Sequence, residues 1–180
     1  FFPIGAGQIQ TTIHPWIQQT KYTALDKGQL ISTHAYVAAL NIPTDIADRE
    51  LETLHNKLDL STRKRLNFKG ISQGNTAYVI LNYEQHQQVF SALGEMKKSA
   101  EKVAHDLSKE VKAYLESEAV ADEYLADQLL LPLALGKGGE FTAKVISEHT
   151  KTQAEMIQKF IDCDIQFIKI GNNFKVNVSV

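Results

Sequence analysis

Apolar positions along this chain switch between two periods, and the switches mark its elements. "LISTHAYVAALN", residues 30–41, reads as a strand. Apolar residues then fall at Ile46, Leu51, Leu54 and Leu58, the stripe of an amphipathic helix over "PTDIADRELETLHNKL" with Thr44 as its N-cap. "TRKRLNFKG" and "GNTAYVILNYE" follow as strands. A long helix is predicted in "SAEKVAHDLSKEVKAYLES", with Val103, Leu107, Val111, Tyr114 and Leu115 on one face. The order is β-α-β-β-α.

The last third repeats this logic. "EYLADQLLLPLAL" is a predicted helix with its exit at Gly136, and "GGEFTAKVI" a short strand. Thr150 to Phe160 is the next helix, with Ala154, Ile157 and Phe160 as its apolar stripe. "IQFIKIG" and "NFKVNVSV" alternate as strands and meet at a "GNN" turn, the signal of a hairpin. At the other end, residues 1–25 read as β-rich: "FFPIGAGQIQTTIHPW" holds a "GAG" turn and then the alternation Ile9, Thr11, Ile13.

These elements make an α+β protein in two parts. "DKGQ", residues 26–29, is a boundary turn. The opening strands and the last third can close one domain, residues 1–25 and 120–180. Residues 26–119 then form a small α+β domain inserted into it. The chain begins Phe1-Phe2-Pro3 without a methionine and reads as a piece of a longer polypeptide or a processed product.

Composition changes the picture only a little. With 180 residues, 43% hydrophobic, 22% charged and a net charge of −2, the chain is an ordinary globular one. Nucleic acid would have to use a local basic patch. The densest run, Arg63-Lys64-Arg65 with Lys69, is short enough to be a solvated face. The single cysteine, Cys163, excludes an internal disulfide and fits a reducing, cytoplasmic compartment. The alternation of "FIDCDIQF" makes it a small buried thiol in a strand. No signal peptide is visible, and the longest apolar run, "LLLPLAL", is far too short to span a bilayer.

The candidate chemistry lies in two stretches. In "SEHTKTQ", His149 stands at a strand-to-helix junction, where a neutral imidazole can act as a covalent nucleophile and helix amides can hold a phosphate. Thr150 and Thr152 add hydroxyl donors. Spacing alone favours the plainer role of a surface or cap residue. In the apolar helix, Asp127 and Gln128 are either its exposed face or the lining of a pocket for ribose, adenine or metal. Pro132 marks a kink or a helix buried among neighbours. Gly136, Gly138 and Gly139 permit a tight turn or a close ligand approach, the turn being the simpler reading, with Lys137 facing solvent. His14, His34, His55, His86 and His105 show no metal-ligand spacing, and no P-loop, Rossmann or Ser-His-Asp signature occurs.

Taken together, the stretches say more. "EYLADQLLLPLAL-GKGGEFT" followed by "SEHTKTQ" closely resembles the C-terminal part of RNA 3'-terminal phosphate cyclases. There a similar LADQ segment precedes, at matching distance, the histidine that becomes adenylylated. "GEMKKSAEKVAHDLSKEVKAYLES" resembles the family helix before that segment, and "NIPTDIADRELETL" the first helix of its inserted domain. "FFPIGAGQIQ" resembles the Phe-Tyr-Pro-x-Gly-Gly-Gly signature, with Ile4 in place of the usual Arg and Gly5-Ala6-Gly7 in place of three glycines. "HTKTQ" replaces the commonest bacterial "HLLTN".

The resemblance covers essentially the whole chain but only the second half of the family's length. It implies the last repeat of a βαβαββ-type large domain, two helices on a four-stranded sheet, with a small α+β domain inserted. It also implies ATP-dependent conversion of an RNA 3'-terminal phosphate to a 2',3'-cyclic phosphodiester, a ligase reaction of RNA processing. His149 would be the nucleophile that takes AMP, and Tyr124, Leu125, Ala126, Asp127 and Gln128 would line the nucleotide site. Mg2+ or another divalent cation would assist, with no metal ligand assigned in this chain. The expected partners are ATP, RNA with a 3'-terminal phosphate, and the N-terminal half of the same polypeptide, without which this half is not expected to act. The competing readings are a non-catalytic cyclase-like protein of RNA binding or ribosome assembly, a type that lacks the histidine, and a purely structural module.

Overall fold

The computed structural model describes residues 8–15 and 19–180. They form an α+β protein with four helices and two mixed four-stranded sheets. Two compact units separate, one built on Gln29–Ala113 and the other on Ile13–Gly28 with Tyr114–Val180. No helix among the described residues is long and apolar enough to cross a membrane.

The first unit runs β2 (Leu30–Leu40), α1 (Thr44–His55), β3 (Thr62–Phe68), β4 (Gly74–Tyr83), β5 (Gln87–Leu93) and α2 (Ala100–Leu115), with sheet order β3-β2-β4-β5. Strand alternation sends Ala35, Val37, Ala77, Val79 and Leu81 into the core, where α1 packs across β2, β3 and β4. α1 adds Ala47, Leu51 and Leu54. Arg63 and Arg65 of β3 turn to this side and reach Glu52 (2.6 Å) and Asp48 (2.5 Å) on α1. α2 buries Val103, Leu107 and Val111, and Arg49 of α1 meets its Glu101 at 3.2 Å.

Four expectations change in this unit. Helix α1 starts one residue early: Pro43, at φ −54° and ψ 135°, holds the cap position, so Thr44 lies inside the helix and caps nothing. Ile46 is only half-buried and Ala47 takes its place in the stripe. Leu115, at the end of α2, is 37% exposed. A strand is also added, β5, whose Gln88 and Phe90 face the core.

The stripe of α1 carries a buried charge. Glu50 is 1% exposed, and Asn75 Nδ2 donates to both its carboxylate oxygens, at 2.6 and 2.7 Å. Burial pushes its carboxyl from 4.5 up to about 7, against the lowering effect of the Asn75 bond and of Arg49. In the unfolded chain the group ionises at its ordinary value. Stability from this site is therefore full below about pH 4.5 and falls as pH rises to about 7, by about 3 kcal/mol. Thermal melts of Glu50→Gln should lose this slope and exceed wild type above pH 7. Parallel curves for the two proteins from pH 4 to 8 would refute it.

The second unit runs β1 (Tyr22–Ala24), α3 (Glu123–Leu135), β6 (Gly139–Ala143), α4 (Glu148–Phe160), β7 (Asp164–Ile170) and β8 (Asn173–Ser179). This is a β-α-β-α-β-β succession with sheet order β1-β6-β8-β7, β1 and β6 parallel and the other pairs of strands antiparallel. α3 packs on β6 and β8, and α4 on β7. Leu130, Leu133, Phe141, Ala154, Ile157, Val176 and Val178 fill the core beneath them.

The glycines of "GKGG" serve backbone contacts. Gly138 and Leu133 close the exit of α3 by an N–H to carbonyl bond of 3.0 Å, with Gly138 at φ +67°. Gly139 faces Tyr22 across the parallel pair, where a Cβ would overlap the Tyr22 carbonyl oxygen. Lys27 is buried, and its Nζ donates to the carbonyls of Tyr114 (3.2 Å) and Ser117 (2.6 Å) while lying 4.2 Å from the Tyr114 ring centroid.

Here too the structure corrects the periodic reading. Residues 8–15 form no strand, and Ile9 and Ile13 are about nine-tenths exposed at 90% and 88%. The "GAG" turn and Ile4 lie outside the described residues. Phe160 is 82% exposed: α4 ends there, and Ile161, four residues after Ile157, continues the stripe against the core. Cys163 is half-buried one residue before β7, and burial raises its thiol pKa.

Candidate functional site

The site is built where α3 and α4 pack side by side. Each helix opens on a good cap. Asp122 precedes α3 in an extended conformation, and the Leu125 N–H donates to its Oδ1 at 2.8 Å. Ser147 does the same for α4, accepting from the Thr150 N–H at 3.2 Å and meeting the buried Thr150 hydroxyl at 2.9 Å. Both caps fix where the first turns point.

His149 is the second residue of α4 and is exposed. The amides of Glu148 and His149 precede any intrahelical acceptor, and the helix dipole is positive at this end. Lys151 pairs with Glu148 at 2.7 Å on the surface, a contact of small energetic weight. One turn on, Gln153 shares the His149 face of the helix.

Gln153 ties the two helices together. With its amide nitrogen turned toward α3, Nε2 donates to Asp127 Oδ1 at 2.7 Å and to the Asp127 carbonyl oxygen at 2.5 Å. Asp127 is half-buried, so this bond answers the cost of a carboxylate in an apolar helix.

The five residues Tyr124 to Gln128 cover more than one turn and cannot share a face. Tyr124, Asp127 and Gln128 lie on one side at helical spacing, Tyr124 and Gln128 both exposed. Ala126 is fully buried and Leu125 packs against the same core. The structure thus brings Asp127 next to the His149 helix and sends Leu125 and Ala126 inward. The sequence reading missed the link through Gln153. Its signal is the four-residue spacing from His149.

The sequence matches the family model described as RNA 3'-terminal phosphate cyclase over residues 1–167. The chain belongs to the RNA 3'-terminal phosphate cyclase family. A relative named RNA 3'-terminal phosphate cyclase, from Koribacter versatilis (strain Ellin345), is 37% identical over 182 residues, covering 99% of this chain and 51% of its own length. The chain therefore spans about half the length of the curated relative it matches.

The groups at this site are the exposed His149 imidazole, the N-terminus of α4, the Tyr124 hydroxyl, the Asp127 carboxylate and the Gln128 amide. A phosphate fits such a set. Among the described residues, no three His, Cys, Asp or Glu side chains come together to hold a cation.

Proposed function

We propose that this chain is the histidine-bearing half of an ATP-dependent RNA 3'-terminal phosphate cyclase. The observation that carries the reading is the packing of the LADQ helix against the helix that presents an exposed His149, with Gln153 meeting Asp127 between them. Family membership supplies the chemistry to be tested.

In the proposed reaction, a neutral His149 ring nitrogen attacks the α-phosphorus of ATP. A phosphorus–nitrogen bond forms and pyrophosphate leaves. A phosphate oxygen at the RNA 3' end then attacks the same phosphorus and frees the histidine, leaving AMP joined to the RNA phosphate through an anhydride. The neighbouring 2'-hydroxyl closes on the 3'-phosphorus, expels AMP and gives up its proton. A phosphate is a poor electrophile until it carries such a leaving group, so each transfer prepares the next. The amides of Glu148 and His149 stabilise the phosphate charge at the helix end. Tyr124, Asp127 and Gln128 face the nucleotide, and Asp127 positions α4 through Gln153. The lone cysteine suits work in the cytoplasm.

The test uses the family-length polypeptide, ATP with Mg2+ and a 3'-phosphorylated oligoribonucleotide. Its end should become resistant to phosphatase, with one AMP and one pyrophosphate formed per end. An oligonucleotide with hydrogen in place of the terminal 2'-hydroxyl should stop at the AMP-capped stage. Release of ADP and inorganic phosphate would contradict the reading. RNA binding without conversion would favour a non-catalytic RNA-binding protein.

A further inference from the structure

Among the described residues, the sheet of the first unit meets helix α1 on one face and no helix on the other. On the other face, the register aligns residues into rows across the four strands. One row reads Lys64, Tyr36, Tyr78, Ser91, from β3 through the two central strands to β5. The Tyr36 and Tyr78 rings stack with centroids 5.2 Å apart and planes 21° from parallel. His34 lies beside Tyr36, ring centroids 6.4 Å apart. His34 Nε2 meets Ser32 Oγ at 3.0 Å, while His34 Nδ1 has no hydrogen-bond partner among the described residues. Phe68, at the end of β3 on this face, is 54% exposed.

The charge on this sheet has one sign. None of the four strands contains an aspartate or a glutamate. Their cations are Arg63, Lys64 and Arg65, and the two arginines are held on the helix side by Glu52 and Asp48. Lys64 thus remains with the tyrosines on the face that no helix covers. A stacked aromatic pair on the central strands, a flanking ammonium and no carboxylate suit a polyanion carrying planar rings, which can extend the stack. An acidic peptide would match the charge but would leave the stacked rings without a planar partner.

We infer that this open sheet face binds single-stranded RNA, with bases stacking on Tyr36 and Tyr78 and Lys64 meeting the backbone phosphate. The inference rests on the reading of the substrate as RNA and assigns a second contact region for that same molecule.

Fluorescence anisotropy of the family-length polypeptide tests it, with a labelled single-stranded oligouridylate ending in a 3'-hydroxyl and no ATP. Wild type should bind, with a salt dependence to which Lys64 contributes about one charge. Tyr36→Ala with Tyr78→Ala should weaken binding about tenfold or more, whereas both as Phe should stay within roughly twofold of wild type. Lys64→Gln should reduce the salt slope by about one charge. The inference is overturned by a wild type that does not bind, by an alanine pair that binds normally, or by a phenylalanine pair that loses as much as the alanine pair. If the alanine pair fails to fold, the exposed Lys64→Gln variant decides, and an unchanged salt slope overturns the inference. AMP uptake at His149 is followed in the same preparations. A protein that takes up AMP but ignores the tyrosines overturns this inference alone. One that binds through the tyrosines without taking up AMP overturns the transfer reading alone.

Discussion

Replacing His149 with alanine is expected to lower ATP-dependent cyclisation by about four orders of magnitude or more and to leave the melting temperature nearly unchanged. The two halves of this expectation have separate causes. Removing a covalent nucleophile removes the route itself, and such losses run to about a millionfold. The stability half follows from position. His149 is exposed, so alanine leaves no cavity, and an exposed substitution of this kind costs within about 0.5 kcal/mol. The cap from Ser147 to Thr150 does not involve the imidazole. A variant that keeps turnover within tenfold of wild type would remove His149 from the nucleophile role. A variant that melts far lower would instead give it a structural one.

Gly139→Ala is expected to destabilise the second unit by about 2–5 kcal/mol, lowering the melting temperature by roughly 5–15 °C. Gly139 lies at φ +158° and pairs in register with Tyr22 in the parallel β1–β6 pair. A Cβ there would overlap the Tyr22 carbonyl oxygen and come within 2.9 Å of the Tyr22 Cβ. These atoms belong to backbone and to a residue packed on the core, so they have little room to yield. The strain and the overlap act together, and the β1–β6 edge is where they are relieved. Circular dichroism melts would measure the loss, and a variant within 2 °C of wild type would show that the edge adapts. Because α3 and α4 stand on this sheet, activity should fall with stability rather than independently of it.

Much of this architecture is legible in the residues. The helices announce themselves by stripes such as Val103, Leu107 and Val111, and the β7–β8 hairpin by the alternation of Phe174, Val176 and Val178 after the turn at Gly171. Other features depend on contacts that no local pattern carries. Ile9, Thr11 and Ile13 alternate like a strand, yet a strand needs a partner, and these residues are exposed without one in a ladder. β5 is rich in glutamine and hides its pairing with β4. Glu50 looks like a surface residue of α1 until Asn75, from another strand, is placed against it. At the candidate site, Asp127, Gln128 and His149 stand out through the motif resemblance. The role of Gln153 appears only when α3 and α4 are packed together. Leu125 and Ala126 carry the motif in the sequence but spend their side chains on the core.

The most direct measurement is the intact mass of the family-length polypeptide before and after incubation with ATP and Mg2+, followed by peptide mapping. The account predicts a gain of one adenylyl group, labile in acid, stable in base and located on the peptide that carries His149. The same protein should lose the group on addition of a 3'-phosphorylated RNA. Cyclisation of that RNA without any adduct, or an adduct on a residue other than His149, would contradict the account.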